Sequence, residues 1–517
     1  MHNLAALKDR HMFSTQKRRA GYVTTEYVLD AQTHEPTGGA YSIGDTALPR
    51  GIYESLTDAY PALIAHPDAP TFRRLARYLL FSPFKDVRKR VITPSVALQK
   101  IARVPANNHR FHARRLLDEF SQNVWPLTVR EPRWKQGMAR TVDGDIPEPV
   151  RAALDTALPD PHGDRVWLGS GRDVTRGGIR AAGRAYRMEL LTLASGVSAT
   201  HPARGLLDFL NALPTNSLRS RLNANWEMLT SALESMPTTT RREQERRRQA
   251  QGVLFHIKDG PGLVYSTSHR TPRAFALGLS VNGLPRELRK IALRGCVELD
   301  ARACQLSVVA RLWVLPTLTT FLESRRSVWS ELTGHLGLDQ DEYKSTVKRL
   351  IYGIVFGARE ISLRRWMGDG DAGIEPISEA QADDFLRHPL VSELLAGRDE
   401  RLRQIRREKA VVDAFGQRLE YDPSRDVTYR SLLAQEVQSY EVTLMLSLLP
   451  RIQRNLGDVH LLSWLHDGVS LWFSDKQKAA ATLRGLCGDF ARAADQHGFL
   501  TELEVAGEPP FDLGALL

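Results

Sequence analysis

The chain has 517 residues, 42% of them hydrophobic and 25% charged, which is typical of an ordinary soluble globular protein of roughly two to four structural units. Seventy Lys and Arg against 60 Asp and Glu give a net charge of +10, which fits a polyanionic partner without proving one. There is no apolar run of about 18 residues and no signal-peptide pattern, so we expect neither a membrane span nor secretion. Cys296, Cys304 and Cys487 lack the spacing of a disulfide framework or a zinc site, which predicts a reducing, cytoplasmic compartment.

The N-terminal half predicts strands and loops followed by helices. Residues 1–50 are polar and rich in Gly and Thr, a composition typical of strands and loops. Residues 53–125 have helical hydrophobic spacing, and residues 141–174, rich in Pro, Gly and Asp, indicate a loop or linker. Residues 203–252 predict two helices joined near Pro237.

After residue 252 the pattern becomes a mixture of short strands and long helices. The segments VLFHI, LVYST and CVELDA predict strands, whereas residues 307–322, 341–365 and 378–409 predict helices. A helix over residues 429–449, a strand pair HLLSWLHDGVSLWF and a final helix follow. This order predicts an α+β catalytic region.

Asp300 is the first candidate for chemistry. It comes at the end of the predicted strand CVELDA, just before a predicted helix. A carboxylate at a strand end that faces a cleft is a good metal ligand. Taken alone, Asp300 is better explained as a helix N-cap, a position that Asp often occupies.

His466 and Asp467 are the second candidate. Apolar residues lead into and out of this pair, and Gly468 follows it, so a tight hairpin would place both side chains at its tip. Taken alone, the pair is better explained as a polar turn between two strands, for which Asp-Gly is common.

Lys344, Lys348 and Tyr352 are the third candidate. Their four-residue steps place them on one face of a helix, and Gly353 follows. Such a face can bind a triphosphate and stack a base or sugar. The alternative is an exposed basic stripe that ends in a packed tyrosine.

The order of these three elements resembles motifs A, B and C of the family A polymerases, which include bacterial DNA polymerase I and the related phage single-subunit RNA polymerases. DARACQLS, from Asp300, is similar to D-x-S-Q-x-E-L-R; Lys344 with Tyr352-Gly353 is similar to K-x3-F-x3-Y-G; His466-Asp467 is similar to H-D. HRTPRAF and LSVNGLPRELR resemble the region before motif A, and FGQR and AQEVQ resemble two segments between motifs B and C. The resemblance covers the C-terminal half only, over residues 265–475.

The resemblance implies a right-hand polymerase fold of α+β class, with a palm built on an antiparallel sheet, helical fingers and a helical thumb. We therefore expect an N-terminal region (1–110), a thumb-like helical region (111–254), a first part of the palm with motif A (255–330), fingers with motif B (331–414) and a second part of the palm with motif C (415–517). The basic segment RREQERRRQAQ, by itself typical of a solvated helix face, would then grip duplex phosphates. No D-x-E pair of a proofreading exonuclease precedes residue 255.

The resemblance also implies a mechanism and a set of partners. Asp300 and Asp467 would be the catalytic residues and would hold two Mg²⁺ ions, for which Mn²⁺ could substitute. The expected nucleotide-binding residues are Lys344, Lys348, Tyr352, Gln305 and His466. The expected nucleic-acid-binding residues are Arg270, Arg273, Arg418, Gln435 and Gln438. The expected partners are a nucleic-acid primer–template and nucleoside triphosphates. We expect the chain to be a monomer and to have no membrane partner.

This sequence departs from the family pattern at four positions. Gln305 replaces the motif A glutamate that helps DNA polymerases exclude the ribose 2′-OH, and Lys348 replaces the aromatic residue in the middle of motif B. Gly468 stands where the DNA enzymes usually have Glu, and Gln340 stands where an Arg precedes the motif B lysine. We therefore expect a weaker preference for dNTPs than the family norm, which Gln305→Glu should strengthen and Gln305→Ala should weaken.

The resulting prediction is a template-directed DNA polymerase without proofreading. Two alternatives stay open. Gln305 allows an RNA-synthesising or primase-like enzyme. The other alternative is an inactive palm that serves as a nucleic-acid-binding module, and the presence of both Asp300 and Asp467 argues against it.

Overall fold

In the computed structural model, the described residues form many helices and several small antiparallel sheets, as an α+β chain should. The structure describes residues 28–29, 36–37, 47–81, 91–92, 98, 101–102, 112–130, 141–143, 148, 152, 165–167, 172–173, 187–188, 190–191, 194–195, 197–257, 263–268, 271–277, 280–369, 374–422 and 427–506. The chain divides into two compact units: residues 1–199, 207–266 and 275–294 form the first, and residues 200–206, 267–274 and 295–517 form the second. The predicted division into five regions stays a prediction.

The helices of the described residues are numbered in chain order. They are α1 (Arg50–Ala59), α2 (Ala62–Ala65), α3 (Ala69–Phe81), α4 (Ala113–Asn123), α5 (Arg204–Ala212), α6 (Asn216–Ala224), α7 (Trp226–Glu234), α8 (Arg241–Ile257), α9 (Arg286–Ala292), α10 (Cys304–Leu312), α11 (Pro316–Glu323), α12 (Val328–His335), α13 (Gln340–Val355), α14 (Glu360–Asp369), α15 (Glu379–Arg387), α16 (Pro389–Glu408), α17 (Tyr429–Leu446), α18 (Leu449–Arg454) and α19 (Lys476–His497). None of these helices is both long enough and apolar enough to cross a membrane.

The strands of the same residues are short. They are β1 (Val28–Leu29), β2 (Pro36–Thr37), β3 (Ala47–Pro49), β4 (Val91–Ile92), β5 (Thr128–Arg130), β6 (Thr141–Asp143), β7 (Arg165–Trp167), β8 (Tyr265–Ser268), β9 (Thr271–Ala276), β10 (Val297–Ala301), β11 (Ala410–Val412), β12 (Arg418–Glu420), β13 (Val459–Trp464), β14 (Gly468–Phe473) and β15 (Leu503–Ala506).

The first unit has an aromatic core between its N-terminal helices. Phe72 of α3 and Phe120 of α4 are fully buried, and their rings meet edge-on at 5.7 Å. Trp125 continues this stack, with its ring centroid 4.7 Å from that of Phe120. Edge-to-face contacts of this kind add to the free energy gained by burial.

The prediction that VLFHI is a strand is wrong, because these residues form the end of helix α8. Ala250, Val253, Leu254 and Ile257 are all buried, and their three- and four-residue spacing is that of a helix face. A short apolar run suits either structure, and here packing of one helical face decides between them. Residues 203–252 also contain more than the two predicted helices, since α5, α6 and α7 all precede Pro237.

Three long predicted helices each break into two. Pro316 and Pro389 begin α11 and α16, which agrees with the preference of proline for the first turn of a helix. Gly357 separates α13 from α14 with a φ of +84°, a left-handed conformation that glycine adopts readily.

The second unit is built around a four-stranded antiparallel sheet in the order β13–β14–β10–β15. In β10, Val297, Leu299 and Ala301 are buried, whereas Glu298 and Asp300 are half-buried on the opposite face. Helix α10 follows β10 directly and packs against α17. At strand β10, one face of the sheet is therefore apolar, and the opposite face carries the carboxylates of Glu298 and Asp300.

Candidate active site

Asp300, on strand β10, lies next to Asp467, in the hairpin loop that leads into the adjacent strand β14. In the pairing of β10 with β14, Asp300 is opposite Gly468, the residue directly after Asp467. The N–H of Leu465 donates to the Gly468 carbonyl oxygen at 2.8 Å, so His466 and Asp467 form the two-residue loop of a tight hairpin. The N–H of Ala301 donates to the Asp467 carbonyl oxygen at 2.7 Å. The predicted strand and hairpin are present, and backbone hydrogen bonds fix their relative position.

Gly468 is required by this close packing. A Cβ at this position would lie 2.6 Å from the Leu299 carbonyl oxygen and 3.4 Å from Asp300 Oδ1. The first distance is far below van der Waals contact, so any side chain would push β10 and β14 apart. This explains why glycine stands here instead of the glutamate that the resemblance leads one to expect.

The environment of Asp300 disfavours its negative charge. Burial and the nearby charge of Asp467 raise the pKa of the Asp300 carboxyl to about 6, although the positive charge of Lys348 opposes this rise. Two carboxylates that repel each other in a partly buried site are relieved by a bound cation. The pair is therefore electrostatically suited to a metal ion.

The donor set fits Mg²⁺ in particular. Magnesium prefers hard oxygen ligands and is usually held by one or two carboxylates together with water and substrate phosphates. Among the residues that the structure describes, no group of three or more His, Cys, Asp or Glu side chains could hold a metal. Asp300 and Asp467 could thus hold metal ions only together with water or substrate oxygens.

A third carboxylate, Glu441 of α17, is completely buried close to this pair. Its Oε2 accepts a hydrogen bond from Arg273 Nη2 at 2.7 Å and another from Gln305 Nε2 at 2.5 Å. Burial raises the pKa of the Glu441 carboxyl, an effect that Arg273 opposes and Asp467 strengthens. Its other oxygen, Oε1, has no hydrogen-bond partner among the described residues.

His466 carries no charge at neutral pH. Burial lowers the pKa of its imidazole to about 4, and the positive charge of Arg273 acts in the same direction. A neutral imidazole offers one donor and one acceptor to a bound group.

Only part of the helix face predicted to bind the nucleotide, on α13, lies near the carboxylates of Asp300 and Asp467. Asp339 caps the helix by accepting from the Glu342 N–H at 2.9 Å. Lys344 in the following turn is exposed. Lys348, one turn further on, is half-buried and close enough for its charge to act on Asp300.

Tyr352 and Lys348 share an aromatic partner, Trp329 of α12. The Lys348 Nζ lies 5.7 Å from the centroid of the Tyr352 ring and 5.8 Å from that of Trp329. The two rings meet edge-on at 5.7 Å. Burial and the charge of Asp467 raise the pKa of the Tyr352 phenol well above its usual value, so it keeps its proton and can donate a hydrogen bond.

Two of the predicted nucleic-acid-binding arginines differ in their surroundings. Arg273 is nearly buried and is bonded to Glu441, and its guanidinium lies 5.9 Å from the centroid of the Phe356 ring. Arg418 in β12 is exposed and lies 3.3 Å from Glu420. Arg270 lies outside the described residues.

The two predicted glutamines lie on α17. Gln438 accepts a hydrogen bond from Thr271 Oγ1 at 2.6 Å. Gln435 is buried, and its Nε2 has no hydrogen-bond partner among the described residues. Their contacts with nucleic acid, like those of the arginines, stay predictions.

Sequence reasoning missed Glu441 and Trp329. Glu441 could have been found, because it stands in the same helical row as the buried residues Val437 and Leu444, where a charged residue is rare. Trp329 gave no signal, since it belongs to a different helix from Lys348 and Tyr352.

Among known proteins, similarity to this chain is found with solved structures. No protein-family model matches the chain, and no curated protein matches it. The chain is similar to the POL domain of Pol1 from M. smegmatis in complex with DNA primer-template and dNTP, with 14% sequence identity and a TM-score of 0.41 over 65% of this chain and 76% of that chain. The assignment of the site therefore depends on its own residues and their geometry.

Proposed function

We propose that this chain is a template-directed DNA polymerase of the family A type, without a proofreading exonuclease. The observation that supports this most is the position of Asp300, on β10, beside Asp467 in the neighbouring hairpin loop, with the Lys348 charge within range of Asp300. Nucleotide addition needs carboxylate oxygens for divalent metal ions and a cationic group near the triphosphate. Both kinds of group come together here.

In the proposed reaction the 3′-hydroxyl of a primer attacks the α-phosphate of an incoming nucleotide in line. A bond forms between O3′ and the α-phosphorus, the bond to the leaving pyrophosphate breaks, and the hydroxyl proton passes to water. Asp300 and Asp467 would hold two Mg²⁺ or Mn²⁺ ions, which when bound stabilise charge on the attacking and leaving oxygens. Burial and the charge of Asp467 raise the pKa of the Asp300 carboxyl, and a bound cation would oppose both effects.

The helix face would bind the nucleotide. Lys344 and Lys348 would neutralise triphosphate charge, and Tyr352 would pack beneath the templating pair. Because Lys348 is held over two aromatic rings, its position is restricted before the nucleotide arrives. His466 is neutral and could hydrogen-bond a phosphate or sugar without adding charge.

The proposed layout assigns the four-stranded sheet to the palm, the helices between residues 331 and 414 to the fingers, and residues 111–254 to a thumb. The primer–template would be held by Arg270, Arg273, Arg418, Gln435 and Gln438. Since Arg273 is paired with Glu441, its contribution would be mainly to hold the site together, and phosphate binding would fall to exposed side chains such as Arg418.

Replacement of either aspartate tests this proposal. We expect Asp300→Asn and Asp467→Asn each to lower primer extension by at least about a thousandfold, since both attack transition-state stabilisation. Primer–template affinity should change by less than about threefold, because it depends on many phosphate contacts. Extension would be measured in single-turnover assays with dNTPs, and affinity by fluorescence anisotropy.

Glu298→Gln is a matched control. Glu298 stands two residues before Asp300 on the same face of β10, so the variant removes a neighbouring carboxylate that has no proposed catalytic role. Its extension rate should stay within a few-fold of wild type. Substantial activity in Asp300→Asn or Asp467→Asn would show that the site has been assigned to the wrong residues.

An RNA-synthesising or primase-like enzyme is the second candidate. It is favoured by one observation, the neutral amide of Gln305 at the position where the DNA enzymes carry glutamate. Parallel assays with dNTPs and NTPs on primed and unprimed templates separate the two candidates.

A further inference from the structure

His388 lies at the corner between α15 and α16 and is buried, with 7% of its surface exposed. Its Nδ1 accepts a hydrogen bond from the N–H of Leu390 at 3.3 Å, so the side chain caps α16, which begins at Pro389. An imidazole nitrogen can accept a hydrogen bond only when it carries no proton. The cap therefore exists only while His388 is neutral.

His335, the last residue of α12, packs against this cap. The two imidazole rings meet edge-on, with their centroids 4.7 Å apart. The same corner is joined to α12 by Gln381 of α15, whose Nε2 donates to the carbonyl oxygen of Leu336 at 3.1 Å. The C-terminal end of α12 is thus held against the corner by an amide hydrogen bond and by a pair of histidines.

The surroundings of His388 oppose its protonation. Burial and the charge of His335 lower the pKa of the His388 imidazole, whereas the charge of Glu331 raises it. Both charged groups belong to α12. Glu331 lies 3.2 Å from Arg326, so part of its negative charge is already compensated.

The acids nearest to His388 in the sequences of α15 and α16 are also engaged. Asp384 lies 3.8 Å from Arg387, and Glu393 accepts two hydrogen bonds from backbone N–H groups of α11 at 2.9 Å. The first turn of α16 carries the partial positive charge of a helix N-terminus, which disfavours a second positive charge. A proton on His388 would therefore break the cap and repel a protonated His335.

We propose that His335 and His388 form an acid-sensitive joint, which fixes the end of α12 to this corner at neutral pH and releases it when both rings are protonated. Release would affect the candidate active site, because α12 also carries Trp329, whose ring centroid lies 5.8 Å from the Lys348 ammonium. This effect on the site rests on the proposed polymerase function, whereas the joint itself does not.

His388→Asn tests the joint without an enzyme assay. The Asn oxygen can accept the same backbone N–H but does not titrate. Because the pKa of His388 is lowered by folding, wild type should lose stability as the pH falls below about 6.5, the value for an unfolded chain, until the folded protein also takes up the proton. In this range the unfolding constant of wild type, relative to that of His388→Asn, should rise by up to about tenfold per pH unit. Urea unfolding at several pH values between about 5 and 7.5 measures this ratio.

His66→Asn is the matched control. The Nδ1 of His66 also accepts a backbone N–H, from Asp68 at 3.1 Å, but its ring stacks on Phe72 and not on a second histidine. This variant should keep the loss of stability that wild type shows in acid.

Two variants of α12 give opposite results if the joint works as proposed. His335→Gln should weaken the loss of stability in acid, because it removes a positive charge that acts on His388. Glu331→Gln should strengthen the loss, because it removes the negative charge that favours the proton.

A kinetic measurement connects the joint to nucleotide binding. Between about pH 7.5 and 6, the KM of wild type for the nucleotide should rise about threefold more than that of His388→Asn, as expected when Trp329 no longer holds Lys348 in place. The turnover number should change equally with pH in both proteins, because both keep Asp300 and Asp467.

Each result has a distinct meaning. If unfolding of wild type and His388→Asn depends on pH in the same way, the joint is refuted. If unfolding differs but the KM does not, the joint stands and its effect on nucleotide binding is refuted. If wild type inserts no nucleotide, the polymerase proposal fails, and unfolding alone decides on the joint. Should His388→Asn fail to fold, an unchanged loss of stability in acid for His335→Gln would refute the joint.

Discussion

Asp300, the proposed metal ligand, has a cost in stability. Its pKa of about 6 means that the folded protein retains a proton that an unfolded chain has already lost at pH 5. Ionisation of Asp300 therefore works against folding, as is common where a site is arranged for a ligand that the protein must bind.

This leads to a prediction about the metal-free protein. Because the folded pKa is raised, the contribution of Asp300 to the free energy of unfolding should fall as the pH rises from about 4 to about 6, and then level off. In EDTA at pH 7.5, Asp300→Asn should be more stable than wild type by up to about 3 kcal/mol, at about 1.4 kcal/mol per pKa unit. At pH 4 the two proteins should differ little. Urea unfolding at both pH values measures this.

Mg²⁺ supplies the control for this experiment. It should raise the melting temperature of wild type at pH 7.5 and have a smaller effect on Asp300→Asn, because binding to the folded state is linked to stability. If Asp300→Asn is less stable than wild type at pH 7.5 in EDTA, burial does not disfavour the charge of Asp300.

The Gln305→Glu substitution suggested by the sequence becomes ambiguous in this structure. It would put a second carboxylate where Gln305 Nε2 now lies 2.5 Å from Glu441. Two buried carboxylates at that distance cannot both ionise, so loss of activity would say nothing about sugar selection. Combining Gln305→Glu with Glu441→Gln keeps one carboxylate and one amide, and is the better test.

At the scale of elements, sequence patterns predicted the helices and strands that depend only on residues close together in the chain. The strand that carries Asp300, the hairpin at Asp467 and the helix that carries Lys348 all follow from hydrophobic spacing within a few turns of chain. The wrong predictions also concern short segments of the chain. The segment VLFHI joined a helix because one helical face found a packing partner, and Pro316, Gly357 and Pro389 divided helices whose apolar pattern ran through them.

The packing of α12 against α13 yields a prediction that no sequence pattern contained. Trp329 lies against both Tyr352 and the Lys348 ammonium, so Trp329→Ala should free the lysine and raise the KM for the nucleotide by about three- to tenfold, as expected for loss of one cation–π contact. The turnover number should change less. Steady-state kinetics with a primed template would measure both.

Trp329→Phe serves as the comparison for this variant. It keeps an aromatic face beneath Lys348 and should retain most of the wild-type affinity for the nucleotide. An unchanged KM in Trp329→Ala would mean that the contact seen in the structure does not influence nucleotide binding.

At the scale of the whole molecule, the second unit is discontinuous in sequence. Its main body is residues 295–517, but residues 267–274 also belong to it. Arg273 in that short segment is 168 residues from Glu441, its partner. Local periodicity cannot show that two residues so far apart in the chain are partners, which is why the ion pair of Arg273 with Glu441 was not predicted.

This arrangement predicts how fragments of the chain will behave. A fragment of residues 295–517 lacks Arg273 and leaves Glu441 as a buried carboxylate without its cation. Removing one partner of a buried ion pair costs about 3–5 kcal/mol, so this fragment should unfold at a much lower denaturant concentration than a fragment of residues 263–517, which keeps the segment.

Glu441→Gln should partly rescue the shorter fragment and destabilise the longer one, because the amide carries no unpaired charge but pairs less strongly with Arg273. Urea unfolding followed by circular dichroism gives the four midpoints. If Glu441→Gln shifts both fragments in the same direction, the unpaired charge is not what separates them, and the segment contributes through packing instead.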